Sequence, residues 1–396
     1  MKQEAVNQYM DRISGRAVTA GAVAAVVMVI GLFLDSSAFF ESYLIAYLFW
    51  ISLSLGCLAI LMVHHLVGGG WGFVIRRMLE AGARTLPVMA VLFIPVIMGM
   101  SDIFEWTDED VVAGNYILQE KVKYYLNEPF FIMRSAIYFV IWIGLAWLLT
   151  GWSYRQDENG NLMLNRSMRI FSGLGMVLYV LASTFAAFDW IMSLDPIWFS
   201  SIYGPIFIVA HFLTAFAMMS ALIAWMSRYE PLSGVVREKH FHDLGNLLFA
   251  SLVLWAYVAF SQFIIIWSGN LPDTISWYLD RSANGWPMVT ILLALFHFVI
   301  PFFILLSRFS KQKARVLMAI AAGILLFRFL DLFWLIIPTI HDGAFAIHWL
   351  YFVTPVAMGG IWFLFFTRMV KSKSILPLHD ARFEGLLSGK EAAIHE

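Results

Sequence analysis

Charge is scarce in this sequence: Asp, Glu, Lys and Arg make up 13% of its 396 residues, against the roughly 25% usual in soluble domains. Hydrophobic residues make up 61%. A chain with so little charge to solvate it is expected to be an integral membrane protein. Cysteine is scarcer still, with Cys57 alone. That excludes an internal disulfide, an iron–sulfur cluster held by this chain alone, which needs about four thiolates, and a C-x-x-C-H haem attachment. Long charge runs and Gln/Asn or Ser/Pro tracts are absent, so disorder is expected only at the termini. No basic stripe marks a nucleic-acid face, and the net charge is −1. Glycines 68–70 are followed by no GK[ST], and no metalloenzyme spacing, nucleophile elbow or dinucleotide fingerprint occurs. The first 16 residues, MKQEAVNQYMDRISGR, are polar. With no cleavable signal ahead of it, the first apolar run is expected to serve as the targeting segment.

What is abundant is apolar runs of spanning length. Ten of them reach the ~17–25 residues a helix needs to cross a bilayer, near 17–34, 43–67, 82–101, 130–151, 168–189, 201–226, 245–268, 286–306, 314–337 and 345–369. The expected fold is therefore all-α and polytopic. Residues 1–16 would form a short N-terminal segment and 370–396 a tail. Pro87, Pro95, Pro301 and Pro355 fall inside these runs and predict kinks that neighbouring helices absorb. Of the 26 Lys and Arg residues, 21 lie in the segments that share a side with the N-terminus, including Arg76, Arg77 and Arg84. Lys121, Lys123, Arg134 and Arg281 lie opposite. The positive-inside rule then places both termini in the cytoplasm. The other side is acidic, with Asp35, Glu41, Asp102, Glu105, Asp108, Glu109, Asp110, Asp273 and Asp280. Its one long loop, near 102–129, contains VVAGNYILQEKVKYYLN, a mixed pattern expected to lie on the membrane surface as an amphipathic cover or a docking surface.

Ionisable residues within or beside the spans are the candidate functional groups, because each is costly in hydrocarbon unless paired, hydrated or protonated. Asp189 and Asp195 frame FDWIMSLDP at the outer end of the fifth run and are expected to face the outer aqueous phase. For Asp195 the alternative is a helix N-cap, since Pro196 follows it. Arg328 and Asp331 sit in the ninth run at i, i+3 spacing, which puts them on one helix face. They form either a self-neutralising pair or a charged site in a polar cavity. His211 and His297 fall near the midplane, each roughly 15 Å from a surface by helical rise. Midplane histidines serve as core hydrogen-bonding groups, as proton-relay stations or as axial ligands of a b-type haem. At the inner face, EKHFHDLGN supplies His240, His242 and Asp243, a proton-collecting cluster or an exposed solvated one. Two broad readings follow, a redox or proton-moving subunit and a secondary transporter. Neither an internal repeat nor paired interrupted spans, the usual marks of the latter, is visible.

The stretches FDWIMSLDPIWFSSIYG, HFHDLGNLLFASLVLWAYVAFSQFIIIWSGNLPDTISWYL and FHFVIPFFILLSRFSK resemble the NrfD/polysulfide-reductase family of membrane subunits, and within it the ActF branch of alternative complex III, a bacterial quinol:electron-acceptor oxidoreductase. The resemblance covers roughly residues 20–370. It implies two four-helix bundles, from spans two to five (about 43–189) and six to nine (about 201–337), with the first and last helices flanking them. It also implies a multi-pass protein of the bacterial inner membrane that holds no covalently bound cofactor. Menaquinone or another quinone would be its exchangeable ligand. Haem and iron–sulfur centres would reside in partners: an NrfD-like sibling, an iron–sulfur subunit, c-type cytochromes or a terminal oxidase. Asp189, Asp195, His211, His297, Arg328, Asp331, His240, His242 and Asp243 are then the candidates for a proton path or a quinone site.

Overall fold

The computed structural model describes residues 2–161 and 163–376, with the side chains of residues 2–9, 12 and 13 left out. Most of the expected 370–396 tail lies outside the described residues. Among the described residues, ten helices are long and apolar enough to span a membrane: Ser14–Leu34, Ser36–Val67, Gly70–Met98, Glu128–Asn159, Met163–Leu194, Tyr203–Met226, Glu238–Gly269, Trp286–Leu306, Ala314–Ile340 and Leu350–Lys371. The chain is an all-α polytopic membrane protein. "Inner" below means the side of the termini, as the Lys and Arg distribution orients it.

Local chemistry explains where several helices begin and end. Asp35 caps the second span by accepting the Ala38 N–H at 3.0 Å. Asn127 does the same for the fourth through Phe130 N–H at 3.1 Å, with Pro129 in the first turn, where a missing N–H costs nothing. Gly160, at φ 63°, closes that helix in the left-handed region that glycine occupies without strain. The polar first residues expected as a separate segment continue the first helix, which runs Lys2–Leu34.

The third span corrects its expected start near 82. It begins at Gly70, and the charged residues that made 70–81 look like a loop are buried in it. Glu80 accepts from Arg76 Nε at 3.1 Å and from Arg77 Nη1 at 2.5 Å. Arg77 also pairs with Asp157 of the fourth span, and Ser153 hydrogen-bonds Glu80. Buried charges persist where they are paired and hydrogen-bonded, and these partners are too distant in sequence for a run-by-run reading to find. Further along, the third span is interrupted near Arg84–Thr85 and Leu92–Phe93, ahead of Pro87 and Pro95. The eighth span contains a π-helical stretch, Leu293–Val299, just before Pro301. The third and eighth spans thus depart from regular α-helix beside three of the prolines expected to kink them, Pro87, Pro95 and Pro301.

With spans two to five termed the first bundle and six to nine the second, the second and sixth spans pack together across them, as do the fifth and sixth, the second and ninth, and the third and seventh. The second span is the spine: it also packs on the first, third, fifth, ninth and tenth. At its contact with the sixth, a Cβ on Gly56 would collide with the His211 carbonyl oxygen. Small residues let helix backbones approach closely where lipid offers no hydrophobic drive, and Gly21 against Gly360 does the same between the first and tenth spans. The outer loop folds as Glu105–Thr107, Glu109–Ala113 and Tyr116–Tyr124. Trp106 and Leu118 are buried beneath it, so part of this cover is packed onto the bundle.

A polar core and a lateral cavity in the second bundle

Asp189 does not face the outer water. It is fully enclosed and clamped by Arg134 of the fourth span, whose Nε and Nη2 each donate to its carboxylate at 2.9 Å. Tyr138 adds a third hydrogen bond at 2.7 Å. The Arg134 guanidinium lies 3.8 Å from the Tyr125 ring centroid and donates to the Tyr125 carbonyl. The cluster is closed and neutral, and a buried cation and anion there satisfy each other. Arg134 had been counted among the outer loop charges. Its place inside an apolar run, like that of Arg328, was the signal that marked it as a partner.

Asp195 is partly exposed and N-caps no described helix; it closes the short turn Met192–Leu194 at its C-terminal end. Its Oδ1 accepts from Ile197 N–H at 3.2 Å and Trp198 N–H at 3.0 Å, holding a turn in the irregular segment before the sixth span. Helix resumes only at Tyr203, so the proline after Asp195 starts a turn instead.

The second bundle brings four of the candidates together. Arg328 pairs with Asp331, and both are buried. The Arg328 guanidinium is near enough to His211 and His297 for its charge to act on both. His211 shares a 2.7 Å hydrogen bond with Tyr179 through Nδ1. Tyr179 comes from the fifth span, so this bond crosses between the bundles. His297 lies in the π-helical stretch, its ring edge-on to Trp255 at 4.3 Å. Among the described residues, His211 Nε2, both ring nitrogens of His297 and Arg328 Nε are buried without a hydrogen-bond partner. Orphaned polar groups in an interior are costly, and ordered water is the usual partner at such sites. No hydrogen bond among the described residues joins this core to Asp189.

Above the core lies Arg281, in the loop before the eighth span, buried and without a carboxylate at ion-pair distance among the described residues. Pro338 explains its position. Lacking an N–H, proline leaves the carbonyl four residues earlier unbonded, and Arg281 Nε donates to that Trp334 carbonyl at 3.2 Å. Arg281 also donates to the carbonyls of Leu335 and Trp277, each at 2.7 Å, and to Thr339. Its guanidinium carbon sits 3.4 Å from the Trp277 ring centroid. Burial pushes the Arg281 pKa down to about 9. Beside Arg281 and Asp331 opens a cavity of about 650 Å³ between spans seven, eight and nine and the short helix Pro272–Asp280. Its polar lining is sparse: Gln262, Tyr278, Ser282 and Thr290 besides Arg281 and Asp331. Burial lifts the Tyr278 hydroxyl pKa to about 12, and Gln262 accepts from Ser200 at 3.1 Å.

The inner candidates stand apart. His240 is buried and accepts from Arg237 N–H at 3.0 Å, completing the N-terminal cap of the seventh span. His242 lies 3.7 Å from Asp243, both partly exposed. From His242 to Trp255, which touches His297, the helical rise is about 20 Å, and no hydrogen-bonded chain among the described residues crosses it. A third polar cluster escaped the sequence reading. Glu41, counted as an outer loop acid, is buried and accepts from Tyr351 at 2.7 Å and pairs with His341 at 3.0 Å. At the outer surface, burial and the neighbouring carboxylates of Asp342 and Asp195 raise the Glu105 pKa.

The fold and the site together define a multi-pass, α-helical integral membrane protein with a buried polar core and a cavity beside it. Compared with protein-family models and with curated proteins, the chain matches none of either.

Proposed function

We propose that this chain is a membrane subunit of a quinol:electron-acceptor oxidoreductase of the NrfD type, closest to the ActF branch of alternative complex III. In this reading it sits in a bacterial inner membrane, does not catalyse electron transfer alone, supports quinol oxidation and conducts protons. Menaquinone or another quinone is the exchangeable cofactor. Haem and iron–sulfur centres belong to its partners, an NrfD-like sibling, an iron–sulfur subunit and c-type cytochromes, with a terminal oxidase as a further one. The observation that carries the reading is the core of His211, His297, Arg328 and Asp331, whose partnerless buried nitrogens call for internal water at mid-membrane depth. Titratable or hydrogen-bonding stations at that depth are what a proton path requires. The closed Arg134–Asp189 cluster is a structural clamp in this scheme.

The test is purification of the tagged full chain from its native membrane in mild detergent. Stoichiometric haem-bearing and iron–sulfur partners are expected. In vesicles holding that complex, His297→Phe should lower proton movement per electron while leaving subunit and haem content unchanged. A second reading, a secondary transporter, draws on the interrupted third and eighth spans, since carriers build midplane sites at broken helices. A solitary, monodisperse chain would favour it and overturn the first.

A further inference from the structure

The cavity in the second bundle has a volume of about 650 Å³, within the ~300–1,000 Å³ of small-molecule pockets. Tyr257, Phe260 and Trp267 line it, and each is more than half exposed within the seventh span. The mouth therefore opens sideways into hydrocarbon. Phe298 lines its inner part and lies roughly 18 Å by helical rise below Trp286, the outer end of the same span. That is close to the hydrocarbon depth of one leaflet, ~15 Å. Three polar groups lie below the outer end, and each already has a protein partner. Asp331 pairs with Arg328, Gln262 accepts from Ser200, and Thr290 accepts from Trp334. The long part of the cavity thus asks for an apolar occupant.

The outer end differs. Arg281 lines it, buried, and four of its five N–H groups go to carbonyls and Thr339. The fifth, on Nη1, is left to donate, and the Tyr278 hydroxyl lines the same end. A buried cation with neutral partners favours an anion beside it, and a phosphate oxygen takes a charge-assisted bond from such an N–H. A purely anionic head would also meet acids. The carboxylates of Asp280 and Asp195 act on Arg281, and Asp342 acts on Asp280 in turn. A phosphate joined to an ammonium satisfies both, one charge on the guanidinium and the other on the carboxylates. An ionic head at the interface over an apolar stem one leaflet deep is the form of a phospholipid.

We propose that this cavity holds one outer-leaflet phospholipid with a primary ammonium head group. Its phosphate meets Arg281 and Tyr278, its ammonium faces Asp280 and Asp195, and one acyl chain runs down the aromatic walls. The site rests on the cavity and the charges around it, and does not depend on the redox reading above.

The test uses the full chain in nanodiscs of equal parts phosphatidylethanolamine, phosphatidylglycerol and phosphatidylcholine, with retained lipid read by native mass spectrometry. One phosphatidylethanolamine per chain should survive activation that strips the surrounding lipid, at least tenfold over either of the others. Phosphatidylcholine carries the same charges without the N–H donors, and phosphatidylglycerol lacks the cation. Ala259→Phe and Ala294→Phe, which fill the cavity from two different helices, should each cut that retention at least tenfold. Asp280→Asn alters a partly exposed residue outside the cavity lining and should bring phosphatidylglycerol up to parity. Equal retention of the three lipids by the unaltered chain would sink the proposal, as would a preference for phosphatidylglycerol. Retention unchanged in both phenylalanine variants would remove the lipid from this cavity. Selectivity unmoved by Asp280→Asn would overturn the assignment of the ammonium.

Discussion

Removing Arg134 should damage the protein more than removing Arg134 and Asp189 together. In Arg134→Met the Asp189 carboxylate stays fully enclosed and loses both 2.9 Å bonds to the guanidinium, keeping only Tyr138. At about 1.5–3 kcal/mol for each charge-assisted bond, the loss is about 3–6 kcal/mol. That agrees with the ~3–5 kcal/mol typical of stranding one member of a buried pair. In Arg134→Met with Asp189→Leu no charge is stranded. Two neutral groups, the Tyr138 hydroxyl and the Tyr125 carbonyl, lose a partner, at about 1–3 kcal/mol each, but the Tyr125 carbonyl loses its donor in Arg134→Met as well, so the stranded charge is what sets the two variants apart. Asp189→Asn should fall between, because Arg134 keeps the Tyr125 carbonyl and the Tyr125 ring. The assay is unfolding in mixed micelles at rising sodium dodecyl sulfate fraction, followed by tryptophan fluorescence. A double variant as unstable as Arg134→Met alone would refute the argument, because it would mean that the cost lies in lost packing and not in a stranded charge.

Two further outcomes follow from the same physics. Gly56→Ala should lower the unfolding midpoint and loosen the contact between the second and sixth spans, since the added methyl meets the His211 backbone rather than a movable side chain. Overpacking of this kind costs roughly 1–3 kcal/mol, and an unchanged midpoint would count against so close an approach. Glu105 is a pH probe. Its folded pKa is raised by burial and by Asp342 and Asp195, so the folded state binds the proton more tightly than the unfolded one. Stability then falls as pH rises from the unfolded value, about 4.3, through the raised one. Glu105→Gln should flatten that decline and be the more stable form at neutral pH. A variant that keeps the wild-type pH profile would rule Glu105 out as its source.

The ten spans were legible because length and hydropathy are local properties of a run, and a bilayer leaves few alternatives to helix. The Arg328–Asp331 pair was legible for a similar reason: i, i+3 spacing in one helix predicts the contact without knowledge of any other element. Pairs formed between helices were not. Arg134 and Asp189 are 55 residues apart, and each alone read as a loop or surface charge. The early part of the third span was misread because Arg76, Arg77 and Glu80 are neutralised by each other and by a fourth-span residue. Asp195 showed the limit of a local rule, since Asp-Pro starts a turn as readily as a helix. The cavity left no mark in sequence, being a property of how three spans splay beside a short helix.

The second span has a consequence for how the chain is made. It ends fully surrounded by protein, and several of its neighbours leave the ribosome much later than it does. Glu41, near its outer end, reaches its hydrogen-bond donor Tyr351 only after 310 more residues. At about 5–20 residues per second that interval is roughly 15–60 s, during which a carboxylate destined for the interior has only the Ser37 hydroxyl of its own helix as a partner. Insertion must therefore keep this helix at the edge of the bilayer, or sheltered by the insertion machinery, until the tenth helix arrives. A nascent chain that stalls after the fifth span would present an unfinished face that membrane quality control can recognise.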